Sequence, residues 1–307
     1  MPKRYIPLTK EERELARKTD IAELLRSQGQ ELKRSGSEWM WMDNAQTVTI
    51  RGNLWFHQYE QVGGDAVDFV CRYYDKSYPE AVEYLLHNRT GTPVTSPPVI
   101  KKRKPFALPE PNNNMRRIYA YLLKQRGLDS KVLNAFVAKK MIYESADYHN
   151  AVFVGVNPKG AAVHAHKRST GSESRFKGNA DSSDPSYSFH WQGKDKFLFI
   201  FEAPIDMLSF ISIHQENWWE HSYAASCGTS DKVIWQMMED NPNISFIYLC
   251  RDNDDAGKMA NERTAKILSE KGIPYKILIP EHKDWNEDLL HLHEVKEEEE
   301  CIIQQQC

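Results

Sequence analysis

The C-terminal half of the chain contains two short apolar runs, Phe197 to Phe201 and Ile244 to Cys250. Unbroken apolar runs of this length, bounded by polar residues, are typical of strands that are buried on both faces of a parallel sheet. The pattern around them predicts these further elements: helix 204–214, strand 222–227, helix 231–239, helix 256–271 and strand 275–279. We therefore predict an α/β unit in which helices flank a parallel sheet.

Acidic residues follow both runs: Glu202 after the first, and Asp252 and Asp254 after the second. In open α/β sheets, ligands bind beyond the carboxyl ends of the strands, so two adjacent parallel strands would bring these acids into one crevice. Carboxylates that converge without a cation repel one another, and a divalent metal would resolve that conflict. Hard oxygen ligands favour magnesium, calcium or manganese. Because protein-bound magnesium is usually completed by substrate phosphates, the pattern predicts phosphoryl-transfer chemistry.

The same residues resemble the acidic motifs of the Toprim domain, which bacterial DnaG-type primases, topoisomerases and certain nucleases share. The first motif is Glu202 within FEAPIDMLS, and the second is the run from Asp252 to Gly257, DNDDAG. A glycine-bearing strand candidate, YAASCGTS at 223–230, lies between them. The resemblance implies that Glu202, Asp252 and Asp254 are catalytic and bind Mg²⁺ or Mn²⁺. An acid such as Asp254 also suits a helix N-cap, which is the structural alternative.

Residues 1–90 are predicted to form a small α+β domain. The pattern predicts these elements in order: a helix over 9–28 opened by a Thr9–Glu12 capping box, strands at 38–42, 47–50 and 54–57, a glycine turn into a helix over 63–75, and a helix opened by Ser77 and Glu80. This order, together with GGDAVDFV and SYPEAVEYLL, resembles the N-terminal zinc-ribbon domain of DnaG-type primases.

The zinc ligands of that domain are missing from this chain. His57 and Glu60 stand where the resembling family has its second cysteine pair, and a tetrahedral zinc site needs four ligands. We therefore expect no zinc. An aromatic cluster is predicted to replace the metal as the core of the domain, with a base-stacking platform as the alternative. The cluster consists of Trp39, Trp41, Trp55, Phe56 and Tyr59.

The middle of the chain begins with a predicted linker at 91–112, which is rich in Pro, Ser and Thr and includes the basic run Lys101–Lys104. Residues 113–192 are predicted to form the N-terminal part of a primase-like core, because YLLKQRGLD resembles the entry to the primase catalytic core. Within it, apolar residues on both sides of the turn NPKG predict a β-hairpin over 151–165.

Basic residues are crowded after this hairpin. In the resembling family, an arginine and a lysine-glycine pair of the matching stretch face the acidic crevice, which implies this position for Arg168 and Lys177. Together with Lys167 and Arg175, they are predicted to bind a nucleic-acid backbone or a nucleoside triphosphate. Ordinary surface charge is the alternative. His164 and His166 alternate along the chain, so we expect them to share one strand face without binding a metal.

Residues 193–293 are predicted to form the Toprim domain, and 294–307 an acidic tail. The stretch Lys283–Asp288 resembles the closing acidic motif of the family. Three further acids are predicted to surround the metal-binding carboxylates without contacting the metal: Asp206, Asp284 and Asp288. Capping of the last helix is the alternative for the acids of the closing motif.

Composition restricts the remaining possibilities. The chain has 307 residues, 27% of them charged, a net charge of −3 and a mean hydropathy of −0.65. No apolar run approaches the ~20 residues that span a bilayer, and the N-terminus lacks the apolar segment of a signal peptide. We expect a cytoplasmic protein with no membrane partner. The five cysteines form no C-x-x-C pair, which argues against a disulfide framework and a thiolate zinc site.

The resemblance as a whole implies a primase-like nucleotidyl transfer on single-stranded DNA, with nucleoside triphosphates as substrates, in replication of a mobile element or a chromosome. A helicase or a relaxase is a candidate protein partner. Two alternatives fit the same residues: a metal-dependent Toprim nuclease or nickase in which water is the nucleophile, and a non-catalytic DNA-binding accessory protein. The missing zinc ligands are the reason to keep the accessory protein as an alternative, because the zinc domain contributes to template choice in the resembling family.

Overall fold

A computed structural model describes residues 8–43, 46–58, 62–87, 105–171, 176–228 and 231–306. The chain divides into two compact units, Met1–Lys102 and Arg103–Cys307. The first unit contains one hydrophobic core, and the cores of the second lie around its two sheets. Within the described ranges, no helix has the length and apolar character needed to cross a bilayer.

The first unit packs helices on one face of an antiparallel sheet. Its helices are α1 (Lys10–Arg17), α2 (Ile21–Ser27), α3 (Ala66–Tyr73) and α4 (Tyr78–His87). Its strands are β1 (Lys33–Ser35), β2 (Glu38–Asp43), β3 (Gln46–Arg51), β4 (Leu54–His57) and β5 (Val62–Asp65). They lie in chain order, and each pairs antiparallel with the next.

Two local predictions for this unit are wrong. The single helix predicted over 9–28 is α1 followed by α2, because Asp20 caps a new helix and the amide of Ile21 donates to the carbonyl of Gly52. The glycine turn predicted at residue 63 is part of strand β5. A Cβ on Gly63 would lie 2.5 Å from the carbonyl oxygen of Trp55, so glycine allows this close strand pairing. The Thr9–Glu12 capping box is confirmed.

The predicted aromatic core is confirmed for Trp41 and Trp55, which pack against the ring of Phe69 with centroid distances of 5.5 and 5.9 Å. Trp39 is partly buried against the same core. The prediction is wrong for Phe56, which is 37% exposed. Alternate residues of a strand point to opposite faces, and Phe56 lies between inward-facing neighbours on β4. Tyr59 and Glu60 lie outside the described residues.

The second unit contains two sheets with helices around them. Its helices are α5 (Arg116–Tyr119), which continues into a π-helical segment (Ala120–Gln125), α6 (Ser130–Ala138), α7 (Pro204–Ile213), α8 (Lys232–Asp240), α9 (Asp255–Glu270) and α10 (Trp285–Gln306). Its strands are β6 (Ile142–Glu144), β7 (Ala151–Val156), β8 (Ala162–Arg168), β9 (Lys177–Asn179), β10 (His190–Trp191), β11 (Phe197–Phe201), β12 (Ser222–Ala225), β13 (Phe246–Leu249) and β14 (Tyr275–Ile277).

The larger of these sheets places the two apolar runs side by side. Its strand order is β10-β12-β11-β13-β14, and β11 pairs parallel with both β12 and β13. The register aligns Leu198 with Ile247 and Ile200 with Leu249. The predicted adjacency of the two runs is therefore confirmed. The antiparallel edge strand β10 was not predicted, because two residues carry too little periodicity. The strands β6 to β9 form a separate antiparallel sheet.

Candidate active site at the carboxyl ends of two parallel strands

A polar crevice of about 170 Å³ opens where β11 and β13 end. Its acidic lining residues are Glu202, Asp206, Asp252 and Asp284. Its basic and amide lining residues are Arg126, His166, Arg168, Lys177, Lys283 and Asn286. Both charge signs therefore meet in one small space.

The loops after the two strands position the acids. Glu202 directly follows β11, and α7 begins two residues later, so Asp206 in its first turn reaches the same crevice. Asp252 lies on the loop between β13 and α9. A Cβ on Gly257 would lie 2.1 Å from the carbonyl oxygen of Asp252, so glycine at this position lets the first turn of α9 approach the loop.

The electrostatics of these acids show that negative charge is concentrated here. Burial, with the charges of Glu202, Asp284 and Asp254, raises the pKa of Asp252 to about 7. The pKa of the buried Asp206 is raised well above its ordinary value, by burial first and then by the charge of Asp252. Burial also raises the pKa of Glu202, although Lys177, with its Nζ 4.0 Å from the carboxylate, opposes this.

These acids fit a divalent cation. Oδ1 of Asp252 is buried and has no hydrogen-bond partner within the described residues, and an unpaired buried acceptor of this kind is costly unless another group satisfies it. In the described ranges, no three His, Cys, Asp or Glu side chains already stand together as a metal cluster. Mg²⁺ at this site would therefore draw part of its coordination from waters and substrate oxygens, as protein-bound Mg²⁺ usually does.

The remaining predicted acids bond to backbone amides, and of these only Asp284 lines the crevice. Asp254 is the N-cap of α9, and its side chain accepts a hydrogen bond from the amide of Gly257 at 2.9 Å. Asp284 lines the crevice and also accepts from the amide of Glu287 at 2.8 Å. Asp288 does not line it; its carboxylate accepts from the amide of His282 at 2.8 Å and holds the loop before α10. The structural alternative thus describes a contact of Asp254 and of Asp284, but not of Asp288, which bonds to residues before α10.

The predicted basic residues divide into two groups. Arg168 and Lys177 line the crevice. Lys167 does not line it; its Nζ lies 5.6 Å from the ring centroid of Phe176. Arg175 lies outside the described residues.

The two histidines of β8 are buried, as one inward strand face requires. His166 lines the crevice, and its Nδ1 lies 2.8 Å from Oδ1 of Asn179. Burial lowers the pKa of His166, which favours the neutral ring. His164 is fully buried, and burial lowers its pKa to about 4.

Sequence reasoning missed Arg126, Lys283 and Asn286. Arg126 directly follows the π-helical segment, a rare conformation that is frequent at functional sites. Nη1 of Arg126 donates to Oδ1 of Asn286 at 3.0 Å, while Nδ2 of Asn286 donates to the carbonyl of Arg126 at 2.7 Å. Both residues lie in stretches with a family resemblance, YLLKQRGLD and KDWNED, which was the available signal.

A tyrosine joins the two arginines of the crevice. The hydroxyl of Tyr121 accepts from Nε of Arg126 at 3.0 Å and from Nε of Arg168 at 3.4 Å. Within the described residues, neither guanidinium forms an ion pair with a carboxylate. Both retain donors for an anion, and arginine suits the geometry of phosphate.

Comparison with known families identifies the part of the chain that carries the acids. The family model described as Toprim-like matches residues 199–289. This match confirms the Toprim prediction. A second family model, described as a protein of unknown function (DUF3991), matches residues 120–195. The Toprim-like stretch includes the ends of β11 and β13 and therefore Glu202, Asp252 and Asp254.

Individual proteins match most of the chain at low sequence identity. An uncharacterized protein of Bacillus anthracis is 24% identical, with 97% of this chain and 93% of that protein covered. Among solved structures, the primase fragment of the bacteriophage T7 primase-helicase protein has 16% identity and a TM-score of 0.46, covering 87% of this chain and 94% of that one. The Aquifex aeolicus primase, with its zinc-binding and RNA polymerase domains, has 18% identity and a TM-score of 0.39, covering 94% and 85%.

Proposed function

We propose that this protein is a metal-dependent, primase-like nucleotidyltransferase that extends a 3′-hydroxyl on a single-stranded DNA template with nucleoside triphosphates. One observation supports the proposal: carboxylates at the ends of two adjacent parallel strands share a crevice with arginines that have no acidic partner within the described residues. An acidic side fits a metal, and an arginine side fits phosphate. A nucleoside triphosphate bound to a divalent ion presents both a metal and phosphate groups.

In this proposal the acidic residues bind the metal and the basic residues bind phosphate. Glu202, Asp252 and Asp254 hold Mg²⁺ or Mn²⁺, and Asp254 contributes while it caps α9. When bound, the metal neutralises phosphate charge and lowers the pKa of the attacking hydroxyl. Asp206 and Asp284 surround these ligands.

The cationic side positions the nucleotide. Arg168, Lys177 and the newly found Arg126 bind phosphate oxygens, with Tyr121 orienting the two guanidiniums. Lys167 and Arg175 contact the nucleic-acid backbone. Phosphoryl transfer depends mostly on positioning and charge neutralisation, so such a set needs no covalent nucleophile of its own.

The setting of this activity is also part of the proposal. We place it in the cytoplasm, in the replication of a mobile element or a chromosome, with a helicase or relaxase as a candidate partner. In this proposal the N-terminal unit needs no zinc, because an aromatic and aliphatic core supports its sheet.

The test is primer synthesis on single-stranded DNA with labelled NTPs or dNTPs and Mg²⁺ or Mn²⁺, comparing Asp252→Asn with Asp255→Asn. Both changes remove one negative charge within four residues, but Asp255 is exposed and does not line the crevice. We expect Asp252→Asn to lose at least roughly 100-fold in rate, as when a key transition-state contact is removed, and Asp255→Asn to stay within about twofold, in the usual range of surface changes.

Other outcomes would change the assignment. Template shortening without products, abolished by Asp252→Asn, would identify a nuclease that uses the same acids. An inert protein that still shifts DNA in a gel would identify a non-catalytic binding protein. Full activity of Asp252→Asn would contradict the proposed site.

A further inference from the structure

The loop between β6 and β7 presents an unusually exposed aromatic side chain. Tyr148 is 86% exposed, more than any other large apolar or aromatic side chain in the described ranges. Trp219, the nearest comparison among exposed aromatics, is 50% exposed. An exposed tyrosine offers a flat apolar face to solvent and buries little of itself in return.

The backbone of this loop is held in a strained conformation. Tyr148 and His149 have φ angles of 55° and 52°, in the left-handed region that side chains other than glycine rarely adopt. Such strain persists where surrounding contacts determine the conformation. Here Nδ1 of His149 lies 2.8 Å from Oε1 of Glu144, and the carbonyl of His149 accepts from the hydroxyl of Thr170 at 2.9 Å. The contacts of His149 therefore fix the backbone conformation that exposes Tyr148.

The same buried carboxylate also anchors the start of the helix that carries two exposed arginines. Glu144 is 1% exposed and accepts from the amides of Arg117 and Ile118, at 3.1 and 3.3 Å, in the first turn of α5. Arg116 and Arg117 are exposed, and neither forms an ion pair with a carboxylate among the described residues. Glu144 thus links the loop that carries Tyr148 to the helix start that carries two exposed arginines.

This surface continues toward the acidic crevice along β8. Ala151, at the start of β7, is paired with Arg168, which lines the crevice. Thr170, which donates to the Tyr148 loop, lies two residues beyond Arg168. The loop is therefore attached to the strand that carries a phosphate-binding candidate into the site.

We propose that Tyr148 stacks on a base of single-stranded nucleic acid whose backbone is held by Arg116 and Arg117. An aromatic face next to cations is the combination that binds single strands without sequence preference. Two acids near this loop oppose the attraction of a phosphate backbone: Asp147, within the loop, and Glu110, whose carbonyl accepts from the amide of Ala146. The inference rests on the proposed function for the role of the strand, but binding does not require turnover.

The test is equilibrium binding of dye-labelled oligo(dT), followed by fluorescence anisotropy without added metal or nucleotide. We expect Tyr148→Ala to weaken binding roughly 5- to 100-fold, the range for loss of one stacking contact. Tyr148→Phe should bind like the wild type, and Tyr148→Leu, which keeps apolar bulk without a π face, should bind like Tyr148→Ala. Trp219→Ala is the matched control, because Trp219 lies just before the amino end of β12, whereas the crevice lies at the carboxyl ends of the strands. This change should alter the affinity less than about twofold.

Salt dependence separates stacking from charge. Tyr148→Ala should leave the slope of log affinity against log salt unchanged, whereas Arg116→Gln with Arg117→Gln should reduce it by roughly 1.4, at about 0.7 per phosphate on single strands. Wild-type affinity in Tyr148→Ala, loss of affinity in Tyr148→Phe, or no oligonucleotide binding by the wild type would each overturn the proposal. Tight binding without nucleotide incorporation would contradict the proposed enzyme and leave the stacking surface standing.

Discussion

The core of the N-terminal unit and the acidic crevice differ in whether their buried polar groups have partners. In the first, aromatic rings pack together in one hydrophobic core, and Trp55 satisfies its own indole N–H by donating to the carbonyl of Asp65 at 3.1 Å. In the second, Asp252 keeps a buried oxygen without a partner in the described residues, and burial raises its pKa. The first region is built to be stable as it stands, whereas the second carries a cost that a bound cation would remove.

Removing an aromatic side chain from the first region should have the largest effect on stability. Trp55 is 6% exposed, and its ring centroid lies 5.3 Å from that of Tyr73. Trp55→Ala should lower the free energy of unfolding by about 3–5 kcal/mol, the usual cost of emptying a large aromatic site. Urea denaturation of the full chain, followed by circular dichroism, measures this.

The matched control is Phe56→Ala on the same strand, since Phe56 faces outward. It should cost less than about 1 kcal/mol, in the range of surface changes. EDTA should not shift the unfolding of this unit. A chelator-induced loss of structure there, or equal effects of the two substitutions, would contradict an aromatic core that replaces zinc.

The sequence predicted most of the scaffold of the crevice. Two apolar runs that end on acids were sufficient to predict adjacent parallel strands and a shared acidic site, because burial on both faces and strand polarity are local properties of the chain. The register of β4 was harder to predict, because LWFH has apolar residues at alternating and non-alternating positions, and only packing against α3 decides that Trp55 faces inward.

The cationic side of the crevice was less predictable. Arg126 reaches it through a π-helical segment and a hydrogen bond to Asn286, a residue 160 positions away. Neither periodicity nor composition encodes a contact of that separation.

The residue before Asp252 belongs to a buried ion pair, so a satisfied charge and an unsatisfied one can be compared within the second region. Arg251 is 3% exposed, and its Nη2 lies 2.6 Å from Oδ1 of Asp231. Arg251→Met should cost about 3 kcal/mol, because it leaves a largely buried carboxylate with less compensation. Thermal and urea unfolding measure the loss.

The double variant Arg251→Met with Asp231→Asn is the control for this pair. It should recover a large part of the lost stability, since the buried carboxylate is removed and its other partner, Arg263, is partly exposed to solvent. Additive losses would show that packing rather than charge determines the cost. A loss below about 0.5 kcal/mol, the level of ordinary surface changes, would contradict the buried pair.

The smallest effect should be a gain in stability from removing charge at Asp252. Its pKa is raised from 3.8 to about 7 in the folded protein, so the folded state binds this proton more tightly than the unfolded state. The resulting stability is present at low pH and is lost as pH rises through about 7. Asp252→Asn should therefore stabilise the metal-free protein at pH 8 by about 1–2 kcal/mol, which is well below the full linkage free energy because solvent screens a carboxylate that is only partly buried.

Thermal unfolding at pH 5 and pH 8, with EDTA or with Mg²⁺, separates the effect of the Asp252 charge from the effect of metal binding. With EDTA, the wild type should lose stability between these pH values and Asp252→Asn should lose less. Mg²⁺ at pH 8 should restore the wild type and have little effect on the variant, since ligand binding to the folded state stabilises it by mass action. A variant that is less stable than the wild type at pH 8 in EDTA would mean that Asp252 is satisfied without a cation, and the contrast between the two regions would fail.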